Sequence, residues 1–149
     1  MNGSDDETGF GESFQTGLSA APPLDAFEAI YRLVLTAYRY RCAVTGQRFA
    51  PAIGLLHPDL DVVAIRPRSA GGPLEVSNYL PMIPMAARAF VAGQFLIADD
   101  YRLVPDLSIL DAHLAALLPH ELFLQLPDEA LFWPSRIQLA YHRAVVLGP

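Results

Sequence analysis

Residues 57–61 read His57-Pro58-Asp59-Leu60-Asp61, which puts one imidazole and two carboxylates within five positions. Donors this close could hold a divalent metal in a turn ahead of a strand. Pro and Asp are equally the ordinary residues of a polar connection, and that reading is preferred here. The other histidines are His113, His120 and His142. His113 falls in an amphipathic stretch and His120 follows Pro119, so surface or helix-end roles suit both. His142 reads as a packing or hydrogen-bonding residue of a C-terminal helix. The single cysteine, Cys42, excludes an internal disulfide and a CxxC zinc knuckle. Its apolar surroundings suit a small buried residue better than a nucleophile. Asp99-Asp100 lies between two apolar runs and reads as a turn. No Ser-His-Asp arrangement and no Gly-rich phosphate loop can be argued.

The remaining chemistry is cationic. All ten basic residues are Arg, and there is no Lys. Residues 30–90 hold seven Arg against three acids, a local charge of +4. Residues 1–29 carry six acids and no base, and residues 91–149 carry a net −4. Arg39, Arg41, Arg48, Arg66, Arg68 and Arg88 are therefore candidates for a phosphate-facing surface, since the guanidinium fork matches phosphate oxygens. The alternative is that they cap helices and pair with the acidic ends. The total charge of −6 excludes a uniformly basic nucleic-acid coat protein.

The elements that must position these side chains follow from pattern. A chain of 149 residues with 52% hydrophobic and 17% charged residues suits one domain with a core of its own. Residues 1–22 are rich in Gly, Ser, Thr and acids and read as a disordered arm, which could fold over the basic middle. Leu24, Phe27, Ile30, Tyr31, Val34, Leu35 and Tyr38 predict a helix over residues 24–40. Residues 42–46 and 61–65 read as two strands of a hairpin with a long connection, and residues 69–79 as a loop built on Gly71-Gly72-Pro73. A helix is predicted over 82–93 with Gly93 as its stop. A hairpin is predicted around Asp99-Asp100, a helix over 108–118, a short strand over 122–126, and a last helix from Ser135 to Val146. No apolar run has the length of a membrane span, so a soluble, cytoplasmic protein is expected.

The order of these pieces resembles the HNH endonuclease family, in its restriction-type branch. The resemblance is carried by Tyr40-Arg-Cys-Ala-Val-Thr-Gly46, Ala64-Ile-Arg-Pro67, Gly71-Gly-Pro73, Val76-Ser-Asn78, Arg88-Ala-Phe90, Gly93 and Asp99-Asp-Tyr-Arg-Leu103. Leu126-Pro127 and Leu139-Ala-Tyr-His-Arg143 add a later match, and the likeness spans roughly residues 30–147. The resemblance implies a β-hairpin followed by a helix around one divalent metal. A His at the end of the second strand is the general base, and an Asn in the loop orients it. A His on the helix, with an acid nearby, holds the metal.

In this chain the general-base position is Ala64, the loop Asn is Asn78, the metal-binding His position is Ala87 and the acid position is Val91. Neither Ala nor Val can take a proton or bind a metal. Asn78 is left to cap a turn or the following helix. The fold expected is α+β: a single domain, residues 23–149, with a degenerate HNH-like hairpin-helix element packed among helices. The function expected is a catalytically inactive HNH-like domain serving as a nucleic-acid- or nuclease-associated binding module, with no cofactor. DNA, an active nuclease or a second copy of the chain are the partners considered, and no membrane. A second reading is an oligomerisation module whose apolar helix offers Met82, Met85, Ala89 and Phe90 as the interface. A third is a metal-dependent endonuclease rebuilt on His57, Asp59 and Asp61.

Overall fold

The structure is a computed structural model and describes residues 24–52, 54 and 56–149. The expected acidic arm, residues 1–22, lies outside the described residues. Helix α1 spans Leu24–Ala37 and turns Val34 and Leu35 into the core. It stops three residues before the pattern suggests. Arg39 and Tyr40 both take left-handed backbone angles (φ 55° and 56°), and the Tyr40 N–H returns to the Leu35 carbonyl at 2.8 Å. That reversal closes the helix and delivers the chain to Cys42.

Residues 42–46 form a turn, not the expected strand. The Cys42 N–H bonds the Gln47 carbonyl at 2.8 Å, and a single bridge joins Arg41 to Arg48. Buried Cys42 is an internal anchor: its Sγ accepts from the Ile83 N–H at 3.4 Å.

Strand β1 (Asp61–Ala64) pairs antiparallel with β2 (Tyr79–Met82), with Asp61 opposite Met82 and Ala64 opposite Tyr79. The partner expected from sequence was residues 42–46, and that pairing is corrected. β2 reads Tyr-Leu-Pro-Met and is buried at all four positions, so it shows no alternation to mark it as a strand. Its proline is tolerated because the Pro81 carbonyl still accepts a bond, at 2.8 Å, from the Ala43 N–H.

Helix α2 (Pro84–Val91) follows at once, with Pro84 in its first turn and Gly93 (φ 74°) beyond its end. Ala86, Ala87, Ala89 and Phe90 face inward, so α2 sits close on the β1–β2 hairpin. Strands β3 (Phe95–Ile97) and β4 (Leu103–Pro105) form a second hairpin around Asp99-Asp100. Helix α3 (Ala112–Leu117) is shorter than expected and is capped by Asp111, whose carboxylate accepts from the His113 and Leu114 N–H groups. Residues 122–126 make one bridge, Arg102 to Phe123, and no strand. Helix α4 (Arg136–Leu147) is capped by Ser135 and packs on β3.

One core joins all these elements, from Val34 and Tyr38 on α1 through Leu80, Met82 and Phe90 to Leu103, Leu114 and Leu139. The Tyr38 hydroxyl is buried without a partner, and burial pushes its pKa up. The chain is a single α+β domain. No helix among the described residues is long and apolar enough to cross a membrane.

Candidate functional site

The connection from β1 to β2 is held by one side chain. Asn78 is fully buried. Its Oδ1 accepts the Arg66 N–H at 3.0 Å, and its Nδ2 donates to the carbonyls of Arg66 and Pro73, both at 3.0 Å. Gly72 passes so close that a Cβ there would stand 1.7 Å from the Arg66 carbonyl oxygen. Asn78 therefore closes the loop on itself. It does not cap α2, whose N-cap residue Ile83 makes no side-chain bond.

Ala64 is half-buried at the end of β1, which is the first strand of the observed hairpin. Ala87 is buried on α2, and Val91, at the end of that helix, is 74% exposed. Ala64 and Val91 share one cavity of about 160 Å³, walled also by Phe90 and, from α4, Tyr141, His142 and Val145. Its walls are mainly hydrocarbon. Ala64, Ala87 and Val91 carry no donor atom for a metal, and no group of three or more His, Cys, Asp or Glu is placed to hold one among the described residues. The side chains at these three positions do not fit the divalent ion that the resemblance implies, and the Asn78 amide is committed to the loop.

His142 lines this cavity. It is buried, lies flat on Phe90 (centroids 3.8 Å apart, planes 9° apart), and its Nε2 is 3.0 Å from the Phe90 carbonyl. A carbonyl only accepts, so Nε2 carries the proton and Nδ1 is the lone-pair nitrogen, buried without a partner. Burial depresses its pKa. The Phe90 bond opposes that, and the charge of Arg143 adds to it.

The unfolded imidazole binds its proton at about pH 6.5 and the folded one only below that. Stability is full above the unfolded value and falls as pH drops from there through the depressed folded value. The denaturation midpoint should therefore decline as pH falls below about 6.5. His142→Gln keeps a donor for Phe90 and does not titrate, so its decline should be shallower. Equal slopes in the two proteins would exclude His142 as the cause.

His57 is committed to structure. Its Nε2 donates to the Ala50 carbonyl at 2.9 Å, its Nδ1 accepts the Asp59 N–H at 3.0 Å, and its own N–H donates to the Tyr31 hydroxyl at 2.6 Å. With both ring nitrogens engaged, no lone pair is free for a metal. Asp59 and Asp61 point outward as exposed residues. These three do not form the centre considered from sequence.

The interface residues considered from sequence are also corrected. Met82, Ala89 and Phe90 are buried in the chain's own core and Met85 is half-buried, because the apolar face of α2 covers the hairpin. The arginines divide into two groups. Arg39 pairs with Asp128, and Arg32, Arg102 and Arg143 pair with Glu28, Asp100 and Asp99. Arg41, Arg48, Arg66, Arg68, Arg88 and Arg136 have no acidic partner among the described residues, and Arg136 instead donates from Nε to the Asp99 carbonyl at 2.9 Å and lies over the Tyr101 ring. Arg66 donates from Nε to the Ala70 carbonyl at 2.7 Å and lies over the Tyr141 ring at 4.4 Å. Arg68 lies over Phe27 at 5.7 Å.

No family model and no curated protein matches the sequence. Among solved structures the chain is similar to one described as a modification dependent TagI restriction endonuclease. The TM-score is 0.54 and the identity 25%, over 76% of this chain and 36% of that one. The fold is nuclease-like. The chain spans little more than a third of that endonuclease, and within this nuclease-like fold the hairpin, α2 and α4 surround the cavity at Ala64 and Val91.

Tyr141 was not singled out from sequence, and Gly72 was read only as a loop residue. Tyr141 occupies one position of a helical pattern and gives no separate signal. Gly72 sits in a Gly-Gly-Pro loop whose tightness depends on Asn78, six residues on.

Proposed function

We propose that this chain is a catalytically silent HNH-nuclease-like domain that acts as a nucleic-acid-associated or nuclease-associated binding module. The observation that carries the reading is the cavity at Ala64 and Val91. Its place in the hairpin-helix unit is where the resemblance calls for a proton acceptor and a metal-holding acid, and the side chains at those two positions, Ala64 and Val91, are hydrocarbon. The similarity to a restriction endonuclease supports a nuclease-like origin for the scaffold. Fold and chemistry are separable, and a scaffold without its acid-base groups can only bind.

The test is incubation of supercoiled plasmid with the full chain and Mg²⁺, Mn²⁺ or Zn²⁺, alongside a retardation assay on the same DNA. We expect no nicking above background with any metal, and retardation that weakens as salt rises. Cleavage that disappears in His57→Ala would overturn the silent reading. Absence of retardation at the lowest salt would remove DNA as a partner.

A further inference from the structure

We propose that the β1–β2 connection presents Arg66 and Arg68 as a shelf for nucleic-acid phosphodiester groups, beside the cavity at Ala64. This inference rests on the nucleic-acid reading above and names the surface that would make the contact.

Three observations converge on this surface. The first is charge that is not already neutralised. Four arginines of the fold are ion-paired, whereas Arg66 and Arg68 have no acidic partner among the described residues. The second is support from below. The Arg66 guanidinium rests on Tyr141 of α4, and the Arg68 guanidinium on Phe27 of α1. A planar cation on an aromatic face loses less freedom when its outward N–H groups take a ligand than a free side chain does. In Arg66 the Nε–H is already given to Ala70, so its terminal nitrogens remain for a phosphate. The Tyr79 hydroxyl also senses the Arg68 charge: burial raises its pKa and Arg68 pulls it back.

The third observation is rigidity of the backbone that carries the pair. Asn78 bonds both the N–H and the carbonyl of Arg66, and residues Arg68–Ala70 form a 3₁₀ turn closed by the Gly71 N–H on the Arg68 carbonyl. Backbone held this way fixes where the two side chains leave the loop, so less ordering is needed when they take a ligand. Helix α2, by contrast, offers one exposed Arg, Arg88, and its other exposed residues, Pro84 and Val91, are apolar. The phosphodiester is the shared chemistry of duplex and single strand, and the experiment separates them.

The experiment titrates labelled duplex and single-stranded DNA of equal length with the full chain at several salt concentrations. For the Arg66→Gln/Arg68→Gln variant on duplex we expect the slope of log affinity against log salt to fall in magnitude by about two, roughly one per lost phosphate contact. Arg68→Gln changes an exposed residue only and should lower the slope by about one. Arg102→Gln, a cation already paired with Asp100, should leave the slope unchanged. If single-stranded DNA alone shows these losses, the shelf serves single strands. A wild-type slope in both Arg66→Gln/Arg68→Gln and Arg68→Gln overturns the shelf while leaving the binding module intact. Failure of the unaltered chain to bind either DNA at low salt overturns both.

Discussion

Gly72→Ala is expected to leave little folded protein. A Cβ at this position would lie 1.7 Å from the Arg66 oxygen, 2.6 Å from the Arg66 carbonyl carbon and 2.9 Å from Asn78 Nδ2. The first two are backbone atoms, so no side-chain rotation relieves the clash. The backbone is not free to retreat either. The Arg66 oxygen is held by Asn78 Nδ2 at 3.0 Å, and the Gly72 N–H is held by the Pro67 carbonyl at 2.9 Å. Relief requires breaking the loop's closure and leaving the buried Asn78 amide unpaired. That costs roughly 1–3 kcal/mol for each unsatisfied group, on top of the strain. A total above about 4 kcal/mol is expected, a large part of the ~5–15 kcal/mol that holds a domain together. Gly71 next door provides the contrast. It has φ 87°, and its added Cβ would meet only the Arg66 guanidinium, nearest Nη2 at 3.4 Å, an ordinary van der Waals distance. Gly71→Ala should cost about 1–2 kcal/mol, the left-handed penalty of an ordinary residue. Denaturant unfolding of both variants checks the pair. A Gly72→Ala midpoint close to that of Gly71→Ala would mean that the loop is not closed as described.

Phe90→Ala has the second largest expected effect. The ring is almost wholly buried, stacks on His142 at 3.8 Å and meets Phe95 at 5.6 Å. It also forms a wall of the cavity at Ala64, so truncation enlarges a space of about 160 Å³ that is already present. Removing a buried Phe costs about 3–5 kcal/mol through lost transfer energy and the hole left behind. The upper half of that range is expected, because an existing cavity shows that the surroundings do not collapse. The Phe90 carbonyl still accepts from His142, but the imidazole loses its apolar cover. Its pKa should return toward the ordinary value, and the pH dependence of stability should flatten along with the overall loss. A destabilisation under about 1.5 kcal/mol would contradict the packing of the cavity wall.

Much of the local structure was legible in the residues. Ser135 accepts from a first-turn N–H of α4, Gly93 takes a positive φ beyond α2, and Asp99-Asp100 turns the β3–β4 hairpin, whereas the cap at Asp111 sets the start of α3 later than the expected residue 108. Each of these signals works through atoms within a few positions, so the sequence alone carries it. The α+β class followed from the same pieces. Residues 79–82 were not legible as a strand, since β2 is buried on both faces and contains Pro81, which removes both the alternation and the composition of a recognisable strand. The pairing of residues 42–46 with 61–65 failed for the same reason: the true partner was hidden, and the nearer one was accepted.

The candidate site divides in the same way. That Ala64, Ala87 and Val91 can neither take a proton nor hold a metal is a property of their side chains, and the sequence by itself determined it. The sequence could not say what those positions enclose. Whether the apolar face of α2 meets a partner or the chain's own core depends on what stands opposite, and the β1–β2 hairpin stands there. The His142 tautomer depends on a carbonyl fifty-two residues away on another helix. Two of the ion pairs are local, but the pairing of Arg39 with Asp128, 89 positions away, and the seats of Arg66 on Tyr141 and Arg68 on Phe27 are set by segments distant in sequence. Hydrogen-bonding capacity and charge belong to the residue and can be read from its letter. Whether that capacity is already satisfied belongs to the contacts made when distant segments close on one core, and only the tertiary structure decided it.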